Sequence, residues 1–264
     1  MSWDFVTIEK SGRIATVRFD RGNAANAMSR QLLQELTEAA QSFESDSETS
    51  AVILTGRPDN FTLGMDLKDP AVERLRTDGL ADRRLALKAG GRMCAAWEAI
   101  EPMTIAAIEG WCVAGGVALT VALELRILGA GATMYVSEIE RGMNMSWGSV
   151  PRITNLVGPA KAKRVVVMAE RVEAERAVQW GLADETVAAG DAYAKALEMA
   201  GRIADLPTVA VRMCKQDINA YANALNYTAS NSDYDQYAVA QASRDLEEGV
   251  RDFLEKRRPQ LNRQ

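Results

Sequence analysis

Phe5, Ile8, Ile14, Val17 and Phe19 stand among polar neighbours, and Ser11-Gly12 divides them into two runs. Alternation broken by small residues predicts a β-hairpin. The period then changes. Leu32, Leu33, Leu36, Ala40 and Phe43 recur at steps of three and four behind Ser29, which predicts a capped helix. Ala51-Val52-Ile53-Leu54-Thr55 is apolar at successive positions, as in a strand covered on both faces, and Gly56-Arg57-Pro58-Asp59-Asn60 ends it. A helix is expected from Leu85 to Ile100, a buried strand from Thr104 to Ile108, and an enclosed helix from Gly115 to Leu123. Ile127-Leu128 and Met134-Tyr135-Val136 read as short strands. Beyond Pro151 the pattern is mainly helical: Glu173 to Trp180 ending at Gly181, about Asp191 to Ala204, and one long helix from about Asp233 to Glu255. Strands alternating with helices, then helices alone, predict an α/β core over residues 1–200 and a helical region over 201–264.

Charge narrows the function classes. The 264 residues carry 31 Lys+Arg against 36 Asp+Glu, a net charge of -5, which removes the broad positive field that nucleic-acid binding needs. The cluster Lys256-Arg257-Arg258 is local and suits a solvated helix end. No histidine occurs anywhere, which excludes a Ser-His-Asp or Cys-His nucleophile and any His-ligated metal. Acid-base chemistry must come from a carboxylate, Lys, Tyr or Cys. Cys94, Cys112 and Cys214 form no C-x-x-C pair, so a reducing compartment is expected. Met1 to Phe5 does not read as a signal peptide, and the apolar stretch Trp111 to Leu123 is too short for a bilayer. The expectation is a cytoplasmic protein with no membrane partner.

Three segments could carry chemistry. Phe61-Thr62-Leu63-Gly64-Met65-Asp66-Leu67-Lys68 and Gly110-Trp111-Cys112-Val113-Ala114-Gly115-Gly116 each follow a predicted strand with a glycine-containing turn and a helix start. Glycine permits close backbone approach, and a helix start presents free N–H groups, so two such turns facing one another could form an oxyanion hole. Neither is a phosphate loop or a dinucleotide fingerprint. In the third segment Glu138 lies between Val136 and Ile139, with Ser137 as its polar neighbour. Buried there, it would hold a raised pKa suited to proton transfer near neutrality; the alternative is a strand-end glutamate paired with Arg141 or with solvent.

In order and separation these segments resemble the enoyl-CoA hydratase/isomerase (crotonase) family. Asn26-Ala27-Met28-Ser29 is similar to that family's helix start, Phe61 to Lys68 to its Phe-x-x-Gly-x-Asp-hydrophobic-Lys signature, and Gly110 to Gly116 to its glycine turn, with Ala114 in place of one glycine. Val172-Glu173-Ala174 through Gly181-Leu182-Ala183 and Glu248 to Arg257 resemble its later motifs. Locally the chain looks most like the hydroxycinnamoyl-CoA hydratase-lyases.

The resemblance implies a ClpP/crotonase-like α/β spiral of ββα units with a helical C-terminal trimerisation region. It implies that the N–H groups of Met65 and Gly115 hold a thioester oxygen, that Met65, Asp66, Leu67 and Lys68 line the coenzyme A site, and that Glu138 moves the proton. Coenzyme A would be part of the substrate, with no separate cofactor and no metal, and the chain would form a homotrimer or a dimer of trimers. Ala118 stands where the family's hydratases carry a second glutamate, while Glu124 matches a structural acidic position. A single glutamate leaves open a 2-enoyl-CoA hydratase-type reaction, which the local motifs favour, a 3-enoyl to 2-enoyl-CoA isomerase, and a silent CoA-ester binder. Tyr234 and Tyr237 are candidates for a substrate-binding tyrosine, and Trp111, Trp147 and Met143 for pocket walls. RNA binding, which some relatives achieve through a basic helix, is not expected, since the early helix sets Arg30 against Glu35, Glu38 and Glu44.

Overall fold

The computed structural model describes residues 3–74, 77–255 and 257. The hairpin β1 (Val6–Ser11) and β2 (Ile14–Phe19) leads into α1 (Arg30–Gln41) and β3 (Ala51–Thr55). Then come α2 (Pro70–Arg74), α3 (Leu80–Leu87), α4 (Ala89–Ala99), β4 (Met103–Ile108), β5 (Trp111–Val113), α5 (Gly115–Thr120), β6 (Leu125–Gly129) and β7 (Thr133–Tyr135). A 3-10 turn, Glu138–Arg141, precedes α6 (Ser149–Val166), β8 (Val172–Glu173), α7 (Ala174–Trp180) and β9 (Glu185–Val187). The remainder is helical: α8 (Ala192–Ala204), α9 (Thr208–Ala222), α10 (Asn226–Ser230), α11 (Asp233–Ala240) and α12 (Arg244–Leu254).

The main sheet runs β1-β2-β3-β4-β6-β9 and is parallel except for the N-terminal hairpin. Its two-residue period sorts the core. Val52, Leu54, Ala106, Ile108 and Leu128 face the larger apolar cluster, which includes α1, α4 and α5 residues. Ala51, Ile53, Ile105, Ala107 and Ile127 face a smaller one completed by Ala192, Ala196 and Ala200 of α8. Alanine at every fourth position lets α8 approach the sheet closely. Residue 200, where the composition changes, lies inside this helix.

A second sheet, β5-β7-β8, is what places the site. The sequence reading has Trp111 to Val113 as part of a turn, because three residues are too few to show a period. They are a strand, parallel to β7. On its other side Thr62 N–H donates to the Trp111 carbonyl (2.9 Å) and Val113 N–H to the Thr62 carbonyl (2.9 Å). The two glycine turns are therefore neighbours.

Two helix expectations need correction. The helix expected over Leu85 to Ile100 begins earlier, at Leu80, and is two helices meeting at Lys88. The long helix expected from Asp233 to Glu255 breaks between Ala240 and Arg244, where the Ser243 side chain accepts from Leu246 N–H (3.3 Å) and starts a new helix. The break folds α12 back onto the 3-10 turn. A Cβ on Gly142 would lie 2.8 Å from the Asp245 carbonyl carbon, and one on Gly249 2.7 Å from the Arg141 Cα, so the two backbones touch. Of the basic cluster, Lys256 and Arg258 lie outside the described residues, as does Lys256 of the C-terminal motif; Arg257 pairs with Asp252 (3.0 Å). No helix among the described residues is long and apolar enough to cross a membrane.

Candidate active site

The Gly64-Met65 turn is pinned to α1's start: Met28 N–H donates to the Gly64 carbonyl (2.8 Å) and Asp66 N–H to the Met28 carbonyl (3.0 Å). This ladder skips the Met65 N–H, which no described backbone or side-chain acceptor takes. Gly115 opens α5, so its N–H also lacks an intrahelical partner, and the residue before it makes no side-chain cap. The turns pack so closely that a Cβ on Gly64, whose φ is +88°, would stand 2.9 Å from the Ala114 Cβ and 3.0 Å from the Val113 carbonyl oxygen. Ala114 itself holds φ 55° and ψ -112°, a conformation unfavourable for a residue with a Cβ. Its N–H donates to the Tyr135 carbonyl (2.8 Å), which locks it there.

Met65, Ala114, Gly115, Ala118 and Glu138 all line one pocket of about 1070 Å³, part of it open to solvent. Its inner end is Trp147, at φ 62°, whose indole fills the gap between α4 and α5: a Cβ on Gly90 or Gly115 would strike its ring. Ala118 is fully buried and brings no carboxylate. Glu124 is turned to other work. It accepts from Thr104 N–H (2.7 Å) and pairs with the buried Lys215 (3.1 Å), tying α9 to the core.

Glu138 does not end a strand, since β7 stops at Tyr135; it opens the 3-10 turn. The expected alternative of a hydrogen-bonded pair with Arg141 is not formed, because Arg141 Nη1 donates to the Ser137 carbonyl (2.9 Å) and hydroxyl, and its guanidinium stacks on Phe253 (4.0 Å). Glu138 Oε2 is buried without a hydrogen-bond partner. Burial pushes the carboxyl up to about 7, and hydrogen bonding from backbone and the Arg141 charge offset this only in part.

The segment Met65 to Lys68 divides by alternation. Met65 and Leu67 line the pocket, while Asp66 and Lys68 face a second, open cleft shared with Arg21, Arg30, Arg74 and Arg92. Tyr237 is half-buried at the pocket, where desolvation first and the Glu138 charge second push its hydroxyl up to about 12. Tyr234 also lines the pocket, but its hydroxyl accepts from Arg84 Nη2 (2.8 Å) near the surface. Trp111 is not among the residues that line this pocket. On β5, Cys112 points into the core, so Trp111 faces the opposite way, stacked near Arg171 (5.6 Å) and 36% exposed. Met143 and Trp147 line the pocket. Asn144, Arg141, Gln241 and Phe253, which the sequence reading did not single out, join them. Burial pushes the Cys94 and Cys112 thiols up to about 12, so neither is a nucleophile at neutral pH.

Residues 9–264 match the family profile described as enoyl-CoA hydratase/isomerase. The chain belongs to the enoyl-CoA hydratase/isomerase family. It is 28% identical to the short-chain-enoyl-CoA hydratase of Clostridium acetobutylicum, over 98% of this chain and 97% of that one. It is 27% identical to the crotonyl-CoA hydratase of Syntrophomonas wolfei, over 98% of each. Its fold matches the crystal structure of an enoyl-CoA hydratase from Mycobacterium avium subsp. paratuberculosis with a TM-score of 0.88, at 20% identity, over 99% of this chain and all of that one. The crotonase-like α/β fold expected from the motifs is thus the fold of this family member.

Proposed function

We propose that this enzyme hydrates a 2-enoyl-CoA thioester, with Glu138 as its single carboxylate acid/base. The thioester oxygen accepts from the N–H groups of Met65 and Gly115. The Glu138 carboxylate takes a proton from water as the water oxygen bonds to Cβ, and the Cα=Cβ electron pair moves onto the thioester oxygen as an enolate. Protonated Glu138 then returns the proton to Cα, and the enolate collapses to the carbonyl. The observation that carries this reading is an unpartnered, buried Glu138 oxygen sharing one pocket with two untaken amides. A carboxyl near 7 changes protonation readily at neutral pH.

Coenzyme A is part of the substrate and no further cofactor is required. The acyl end occupies the pocket beside Leu67, Tyr234 and Tyr237, and the nucleotide end lies over the cleft of Asp66, Lys68 and the arginines, whose positive charge suits phosphates. The core to about residue 200 supplies the amides, and Tyr234, Tyr237, Gln241 and Phe253 of the helical region that follows close the pocket. Val209, Met213, Ile218 and Tyr221 leave apolar surface exposed on α9, which supports assembly as a homotrimer or dimer of trimers. Free thiols at Cys94, Cys112 and Cys214 accord with the cytoplasm.

Ala118 supports a second reading, 3-enoyl to 2-enoyl isomerisation, because one base suffices to move a proton between carbons. Incubation with 2-enoyl- and 3-enoyl-CoA esters separates the two by mass. A product heavier by one water and dependent on Glu138 is expected; rearrangement without mass change supports the isomerase, and no conversion despite CoA-ester binding refutes both.

A further inference from the structure

A hydrating enzyme must hold its water as well as deprotonate it. Glu138 supplies the pocket's one unpartnered carboxylate oxygen among the described residues, and Ala118 supplies none. The wall beside Glu138 carries more polar chemistry than an aliphatic acyl group needs. Asn144 follows the 3-10 turn, and its Nδ2 donates to the Asp233 carbonyl at the start of α11 (3.3 Å). That bond fixes the amide, so Oδ1 is the atom left over, buried and without a partner. The Tyr237 hydroxyl donates to the Met143 thioether (3.2 Å), a weak acceptor, also interacts with the Gln241 side chain, and lies near enough to Glu138 to respond to its charge. Gln241 Oε1 is also buried and unpartnered beside them. All four side chains open into the pocket that holds the Met65 and Gly115 amides. Unsatisfied buried oxygens are costly, and a water with two to four polar partners relieves them.

Building on the hydratase reading above, we infer that Asn144 and Tyr237 hold the water that adds to the substrate, in the role that a second carboxylate would otherwise fill. The water donates one hydrogen to Glu138 Oε2 and the other to Asn144 Oδ1, and accepts from the Tyr237 hydroxyl. One lone pair remains to attack Cβ, and only the hydrogen on Glu138 leaves.

Asn144→Leu and Tyr237→Phe test this in the full-length enzyme, with two readouts. One is hydration of a 2-enoyl-CoA ester. The other is Glu138-dependent exchange of the Cα hydrogens of a saturated acyl-CoA ester in deuterium oxide, which needs the acid and the amides but no added water. Each variant is expected to lose hydration roughly 10–100-fold more than it loses exchange, since one hydrogen bond to the reacting water is removed. Equal losses in both assays would make the residues merely structural and overturn the inference. So would retained hydration, or a raised KM at unchanged kcat, which would assign the two side chains to the acyl group. If the wild type does not hydrate, or Glu138→Gln still does, the hydratase reading fails first and this one with it.

Discussion

Met65 and Gly115 meet the pocket with main-chain amides set by interlocking turns, whereas Glu138, Asn144 and Tyr237 meet it with side chains from a 3-10 turn, a loop and a late helix. The first wall depends on where the backbone runs. Its residue types matter only where a Cβ is forbidden, as at Gly64, or strained, as at Ala114. The second wall depends on which side chains are present, and a single substitution there changes the chemistry without moving the chain. On the proposed reading, the backbone wall can stay the same while the side-chain wall changes the chemistry. Ala118, buried on α5 at the same pocket, brings no carboxylate to it.

The largest effect should come from the side-chain wall. Glu138→Gln is expected to lower turnover about 10²–10⁴-fold with little change in CoA-ester affinity, as measured by steady-state kinetics and titration calorimetry. Gly64→Ala attacks the backbone wall: its Cβ meets Ala114 and the Val113 carbonyl, and displacement of the Met65 amide should cost about 10²-fold in kcat together with a lower Tm. If Gly64→Ala reacts like wild type, the amides do not bind the oxyanion. The pH profile sharpens the electrostatic side. The proposed mechanism needs the Glu138 carboxylate, so kcat/KM should rise with pH and level off above about 7. Arg141→Ala removes a charge that favours ionisation, and its inflection should lie higher.

Stability gives a check of opposite sign. Folded Glu138 holds its proton more tightly than the unfolded chain, so its favourable contribution is complete below its ordinary 4.5 and is lost as pH rises through about 7. Glu138→Gln should therefore melt above wild type at pH 8 and lose that advantage near pH 4. The smallest effect is Ala114→Gly. Relief of the positive φ outweighs glycine's extra chain entropy by about 1 kcal/mol, raising Tm by about 2–4 °C in thermal denaturation.

The backbone wall was the more legible of the two in the sequence. Gly64 and the Gly115-Gly116 pair mark their turns because few other residues fit there, and Ser29 marks the helix start that pins one of them. Glu138 was legible as a carboxylate among apolar neighbours. The partners of Glu138 were not. Asn144 lies between two methionines with no period to betray it, and Phe253 reaches the pocket only because Ser243 breaks a segment whose pattern reads as one helix. Trp111 is a related case: its strand is too short to announce which way a side chain points.

Gly142 and Gly249 bring the acid's 3-10 turn into backbone contact with a helix more than a hundred positions further along the chain. During synthesis the amide turns can form while the ribosome is still working, since both lie in the first half of the protein. Glu138 gains its finished surroundings only when α12 has emerged and docked.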